Sequence, residues 1–411
     1  MIATTESYYG FIEKCELVGE DLEFIFDSFL ADDYSRLVAS RGDLSIVDVA
    51  PTLFYLRIHR SDVKRVFIVF NPLNVESRWT TITLSTTKQG VVAQKFTEDW
   101  SIETEVYVSS IYFLDARRRD DKATIRHLRS LCSLNLLAVK DIASLSDVKT
   151  SIRRENLRFV SVYDVGQGNA NAVCTEDSRP HLYFDLGGGC LQNRKTYQTL
   201  KRFCISSRPV VFLSHWDFDH YFSATQVPSL QKLTWIVPDQ QVGPQGFKFA
   251  HRVAQSGKLI LWPEIPTITN GIISVIQCTG KRRNDSGLAL VVTLGKGRHR
   301  RNTLLPGDCR YRHIPGLSQF KLGGLIACHH GGDIGTRPQI PVTQNGLIAY
   351  SFGVHNTFGH PSRGTQTLYR KHGWQNARET PQGNIAVENI KKTPALACGG
   401  RKCDLVIRQI Y

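Results

Sequence analysis

Residues 210–220 read VVFLSHWDFDH, and the organisation of the whole chain follows from this stretch. Its apolar start predicts a short buried β-strand, and His215, Asp217, Asp219 and His220 fall on the loop at the strand's end. Two imidazoles and two carboxylates crowded this closely would repel and desolvate one another without a cation among them, because buried charges need partners. A polar surface loop would account for one such cluster but not for its continuation downstream. NTLLPGD delivers Asp308 after an apolar strand, and GLIACHHGG delivers His329 and His330 after another. A lone Gly-Asp more often marks a turn and a lone His-His a surface pair. Their joint occurrence predicts a metal centre built from His215, Asp217, Asp219, His220, Asp308 and the His329/His330 pair.

Outward from this core, the sequence from Arg158 onward consists of short apolar strands that each end in Gly, Asp or His, the texture of active-site loops at strand ends. Residues 1–150 differ. LFYLRI from Leu53, VFIVF from Val66, WTTITLS from Trp79 and TEVYVSSIYFL from Thr104 alternate apolar and polar positions and predict strands. Ile125, Leu128, Leu131, Cys132 and Leu136 fall at helical spacing and predict a helix over Lys122–Leu137, and the polar run SLSDVKTSIRREN predicts a linker. Two domains are therefore expected: an N-terminal α+β domain over 1–150, with isolated His59 and His127 and no chemical motif, and a ligand-bearing domain over 157–411.

The composition suits a folded chain: 41% of the 411 residues are hydrophobic and 10% aromatic. No apolar run is long enough for a membrane span. The N-terminus lacks the charged and apolar regions of a secretion signal, so a cytoplasmic location and no membrane partner are expected. The ten cysteines form no CxxC pair and read as reduced thiols, and Cys398 and Cys403 lack the second pair that a zinc knuckle needs. Lys and Arg number 51 against 37 Asp and Glu, a formal charge of +14, which favours an anionic partner, nucleic acid first. The basic clusters at Arg117–Arg119, Arg153–Arg154, Lys281–Arg283 and Arg298–Arg301 each read singly as a solvated loop.

Residues 158–375 resemble the metallo-β-lactamase superfamily, and within it the soluble catalytic domain of the DNA-uptake channel protein ComEC. The family's DVGQGDA appears as DVGQGNA from Asp164, its DGG as DLGGG from Asp185, its LSHxDxDH as LSHWDFDH, its SLVL strand and Gly-Asp as SGLALVV and Gly307-Asp308, and its HHGS as HHGG from His329. The late Ser, Gly, Asn and GHP pattern appears as Ser351, Gly353, Asn356 and Gly359–Pro361. Asn169 and Gly332 depart from the family pattern. The resemblance implies an α/β fold, an αββα sandwich, holding two divalent ions, manganese or zinc. It implies that His215 and Asp217 bind one ion, Asp219 and His220 the other, with Asp308 bridging and one of His329 or His330, His329 taken first, completing the second site. His251 is the remaining candidate for a third histidine. An oxygen-rich ligand set brings manganese into competition with zinc.

Around the ligands, Asp185 is expected to orient the ligand loop through hydrogen bonds. His360 would protonate a leaving group, beside Asp219 and Asp308 as catalytic groups. Ser351, Asn356, Arg298, Arg300 and Arg301 are candidate substrate contacts; for His360, Ser351 and Asn356 a structural turn role is equally open. The leading expectation is a metal-dependent phosphodiesterase, a nuclease that cleaves DNA with a two-metal-activated hydroxide. A two-metal hydrolase of a small ester, lactone or phosphoester is the alternative, and a non-catalytic module with a protein partner at its N-terminal domain is the third.

Overall fold

The computed structural model describes residues 5–40, 42–68, 75–137, 146, 148–150, 152, 157–176, 179–263, 265–295, 301–335 and 338–387. The chain divides into two units, one of residues 1–137 with 241–252, the other of residues 138–240 with 253–411.

In the first unit, β1 (Ser7–Val18), β2 (Asp21–Leu30), β3 (Thr52–His59), β4 (Trp79–Leu84), β5 (Val91–Phe96) and β6 (Ile102–Phe113) close into a barrel in the order β1-β2-β3-β5-β6-β4. Residues two apart share a face of a strand, so Phe24 and Phe26, Phe54, Leu56 and Ile58, and Ile82 and Leu84 all point into one buried cluster. Closure leaves no unpaired strand edge. Three sequence expectations change here. Val66 ends a short helix, Val63–Val66, instead of opening a strand, and of that segment Phe67 makes an isolated bridge to Ile111. The helix expected over Lys122–Leu137 runs over Arg119–Leu131 and stops where Cys132 leaves helical geometry at ψ 25°. Residues 241–252, expected in the second domain, join the barrel: the Asp27 carboxylate, fully buried, accepts hydrogen bonds from Gln245 N at 2.7 Å and Gly246 N at 3.3 Å, at the start of the helix Pro244–Ser256. A carboxylate there satisfies orphan N–H groups and complements the helix dipole. Of the predicted linker, residues 144–156, Ser146, Val148–Thr150 and Ile152 are described, and Val148 and Ile152 are fully buried in the core of the second unit, so this part packs there instead of linking two domains; the rest lies outside the described residues.

The second unit contains two seven-stranded sheets. The first takes β7 (Leu157–Val162), β8 (Ala170–Thr175), β9 (Pro180–Leu186), β10 (Val210–Phe212), β11 (Thr234–Val237), β12 (Lys258–Leu261) and β20 (Ile385–Val387), in the order β12-β11-β10-β9-β8-β7-β20. The second runs in sequence order through β13 (Thr267–Asn270), β14 (Ile273–Gln277), β15 (Leu288–Leu294), β16 (Arg301–Leu305), β17 (Leu322–Ile326), β18 (Leu347–Tyr350) and β19 (Asn376–Glu379). Phe184, Phe212 and Ile236 of the first sheet share one buried cluster with Val275, Leu290, Leu305 and Ile326 of the second. The sheets therefore pack face to face, and each of these side chains contributes roughly 1.5–3 kcal/mol of burial. The opposite faces are buried too: Tyr183 and Trp235 are covered in the first sheet, and Leu304, Leu325 and Ile348 pack with Tyr369 and Trp374 beside the second. Burial on both faces explains why these strands read as continuous apolar runs.

Each sheet is antiparallel in one half and parallel in the other. β9 to β12 run parallel, as do β16 to β19. Parallel strands deliver their C-terminal ends to one edge, where ligand-binding loops collect. Asp185 is the last residue but one of β9, Ser214–His220 follow β10, Asp308 follows β16, His329 and His330 follow β17, and Ser351–His360 follow β18.

Candidate metal centre

The loop after β10 is held by backbone contacts before any side chain is considered. The Asp219 carbonyl accepts from Asn169 N at 3.0 Å and from Gly188 N at 3.1 Å. A Cβ at Gly187 would overlap that carbonyl oxygen, so the glycine run after Asp185 is required by close backbone approach. Asp185, His329 and His330 have φ of 66°, 51° and 54°. Left-handed backbone at a non-glycine residue costs of order 1–3 kcal/mol and gathers at functional sites.

Four imidazoles and three carboxylates meet there. His220 Nε2 lies 3.3 Å from Asp308 Oδ1, and His330 Nε2 lies 3.7 Å from that oxygen and 3.4 Å from Asp219 Oδ2. On the other Asp308 oxygen, His215 Nε2 lies at 3.9 Å and His329 Nε2 at 3.7 Å. Two triads, His215–His220–Asp308 and Asp219–His220–His330, have ligand atoms all within 4.8 Å of one another, and every member is buried.

The imidazoles are aimed by their other nitrogens. Ser214 Oγ lies 3.0 Å from His215 Nδ1, 3.1 Å from His220 Nδ1 and 2.9 Å from Asp185 Oδ2, while Asp185 Oδ2 also lies 2.9 Å from His220 Nδ1. His330 Nδ1 is 2.8 Å from the Ser351 carbonyl and His329 Nδ1 is 3.3 Å from that of Asp333. A carbonyl only accepts, so Nδ1 of both rings carries the proton and, in the neutral ring, Nε2 presents its lone pair inward. His215 Nε2, His220 Nε2, His330 Nε2 and both Asp308 oxygens are buried without a hydrogen-bond partner. Burial opposes charge at His220, yet the carboxylates of Asp308 and Asp185 hold its pKa well above the usual range. Burial likewise opposes charge at Asp308, whose carboxyl the imidazoles of His220, His329 and His330 hold well below its own. Lone pairs converging from rigid elements, each ring fixed from behind, fit a divalent cation.

Several sequence expectations are corrected. His330, buried at 2% exposure, stands with Asp219 and His220, whereas His329 faces the Asp308 oxygen on the His215 side. Asp217 Oδ2 is 3.4 Å from His215 Nε2, but its Oδ1 is 2.9 Å from Nε of Arg283, a buried cation, so its charge is shared with an ion pair. His251 belongs to the barrel unit. Ser351 Oγ donates to the Gly168 carbonyl at 2.7 Å and is buried, which removes it from substrate. Asn356 donates to the carbonyls of Gly353 and His360 and accepts from His360 N, so it shapes the turn that carries His360. Arg301 opens β16, whereas Asp308 follows its far end; five residues of strand span about 13 Å, which separates Arg301 from the centre. Arg298 and Arg300 lie outside the described residues.

His360 does reach the centre: its ring meets that of His329 edge to face at 4.9 Å. Gly353 N donates to Gln167 Oε1 at 3.4 Å, which orients the amide so that Nε2, 3.4 Å from His360 Nδ1, is its donor. A Cβ at Gly332 would stand against His360 Nε2, so the absence of a side chain there leaves room for the His360 ring. Ser214, Gln167 and Arg283 escaped the sequence reading. Ser214 and Gln167 lie inside the quoted motifs but carry no ligand signature, and Arg283 was counted in a solvated basic loop.

Neither a protein-family model nor a curated protein matches the chain. Among solved structures, it is similar to Zn(2+)-bound PqqB from Methylobacterium extorquens, at 14% identity over 54% of this chain and 87% of that one, with a TM-score of 0.33. A possible metal-dependent hydrolase from Veillonella parvula shows 10% identity over 57% and 100%, with a TM-score of 0.34. MEM-A1, a subclass B3 metallo-β-lactamase from a soil metagenome library, shows 12% over 44% and 80%, with a TM-score of 0.26.

Proposed function

We propose that the second unit is a metallo-β-lactamase-fold hydrolase that binds two divalent cations, manganese or zinc, and cleaves phosphodiester bonds in DNA. The observation that carries the metal-dependent part is the set of buried, partnerless atoms on His215, His220, His330 and Asp308. Asp219, His220, His330 and Asp308 Oδ1 would hold one ion; His215, His329 and Asp308 Oδ2 would hold the other, with Asp217 adjoining. Bound cations of this kind polarise phosphoryl oxygens and lower the pKa of water. Asp185 and Ser214 hold His215 and His220 in register, and Ser351 does so for His330 through its carbonyl. With Gln167 donating to Nδ1, neutral His360 carries its proton on Nε2, where it can be given to a leaving oxygen. The choice of DNA rests on the motif resemblance to ComEC and on the net charge of +14.

The test is incubation of the purified chain with linear, circular and single-stranded DNA in the presence of manganese or zinc, beside Asp219→Ala. Metal-dependent cleavage that the variant loses supports the reading. No cleavage by wild type, or equal cleavage by the variant, overturns it.

A further inference from the structure

Beside the metal centre, wholly within the second unit, lies a cavity of about 810 Å³ bounded by the segments Lys195–Lys201 and Phe352–His355 together with Asp164. Its walls mix three chemistries. Lys195, Lys201 and His355 supply cationic or protonatable groups, Phe352 supplies a half-buried aromatic face, and Asp164 supplies an acceptor. Burial pushes the Asp164 carboxyl up while the charge of Lys201 pulls it down, so the two groups sense one another. The volume suits a nucleotide-sized ligand.

The cavity is coupled to the centre through short covalent and hydrogen-bonded steps. Phe352 follows Ser351, whose carbonyl aims His330. Thr196 Oγ1, on the cavity wall, accepts from Gln167 N at 2.9 Å, and the Gln167 side chain bridges Gly353 N to His360. A Cβ at Gly353 would collide with Thr196, so the two walls close directly on each other. Gln167 and the Ser351–Gly353 backbone thus stand between this cavity and the His360 and His330 side chains.

We propose that this cavity is a nucleotide subsite that holds one unit of the substrate strand outside the metal centre. Its phosphate lies against Lys195 and Lys201, its base against Phe352, and a base amino group faces Asp164. The assignment deepens the nuclease reading and rests on it. Planar bases stack on aromatic side chains, and lysines neutralise backbone phosphates without reading sequence.

The test uses the metal-loaded full chain and the double variant Lys195→Ala/Lys201→Ala, with Lys195→Arg/Lys201→Arg as the charge-conserving control. Two substrates are compared: an adenine-containing oligonucleotide and the minimal diester bis(p-nitrophenyl) phosphate. The expected result is a rise in oligonucleotide KM of about tenfold or more relative to the minimal diester in the alanine variant, corresponding to about 1.4 kcal/mol, and recovery in the arginine variant. Equal effects on both substrates, or an unchanged oligonucleotide KM, overturn the subsite while leaving the hydrolase reading intact. If neither substrate is cleaved, titration with deoxyadenosine 5′-monophosphate decides: binding lost in the alanine variant keeps the cavity as a nucleotide site while the nuclease reading fails, and equal or absent binding removes both.

Discussion

Ser214 illustrates how one hydroxyl acts on two ligands. It lies within hydrogen-bond distance of Nδ1 of both His215 and His220 and of Asp185 Oδ2. Ser214→Ala should lower metal affinity on the order of 10–100-fold, as loss of a ligand-orienting partner does, and isothermal titration with manganese or zinc measures it. Gly332→Ser sets a Cβ against His360 Nε2. It should lower kcat while leaving bound metal unchanged, which elemental analysis beside kinetics would show. The pH dependence follows from His220. Its folded-state pKa is raised by Asp308 and Asp185 against the opposing effect of burial, so near neutrality the metal-free ring holds a proton that a cation must displace. That proton stabilises the metal-free chain below the ring's unfolded pKa, and the benefit is lost as pH rises through the folded value. The increment in Tm produced by added manganese should therefore grow as pH rises through that window; an increment that shrinks contradicts the assignment. At this scale the meeting of these side chains was legible because His, Asp and Gly stand at strand ends in a repeated pattern. The partition between His329 and His330 was not, because it depends on two successive left-handed residues that only the backbone reveals.

At the scale of elements, apolar runs and alternation announced β3, β4, β6, β10 and β16, where burial alone dictates residue type. The barrel's Val66 segment failed because a short β-branched run does not distinguish a strand from a turn of helix. The helix Pro244–Ser256 was unreadable as part of the barrel: its anchor is Asp27, more than 200 positions earlier, and no local pattern encodes such a pairing. Asp27→Ala should leave the helix's first amides unsatisfied and cost about 1–3 kcal/mol, read as a lowered midpoint in urea unfolding. Gly187→Ala acts on the other unit. A Cβ there overlaps the Asp219 carbonyl, so the loop after β10 must shift, and the protein should lose metal in elemental analysis as well as stability.

At the scale of the whole molecule, two sheets whose parallel strands end at one edge gather imidazoles and carboxylates from positions 215 to 330 into one buried cluster. The charge of +14 is a property of the same scale. If DNA is the substrate, its binding should weaken steeply and linearly in log salt, and a flat dependence would favour a small neutral substrate. Among the described residues no helix is long and apolar enough to cross a membrane. The measurement that bears most directly on the account is elemental analysis of the purified chain after equilibration with manganese or zinc, beside Asp308→Asn. Two tightly held cations per wild-type chain, lost in the variant together with the metal-induced rise in Tm, are the predicted result. A wild-type chain that retains no metal, and melts at the same temperature with and without it, would contradict the account.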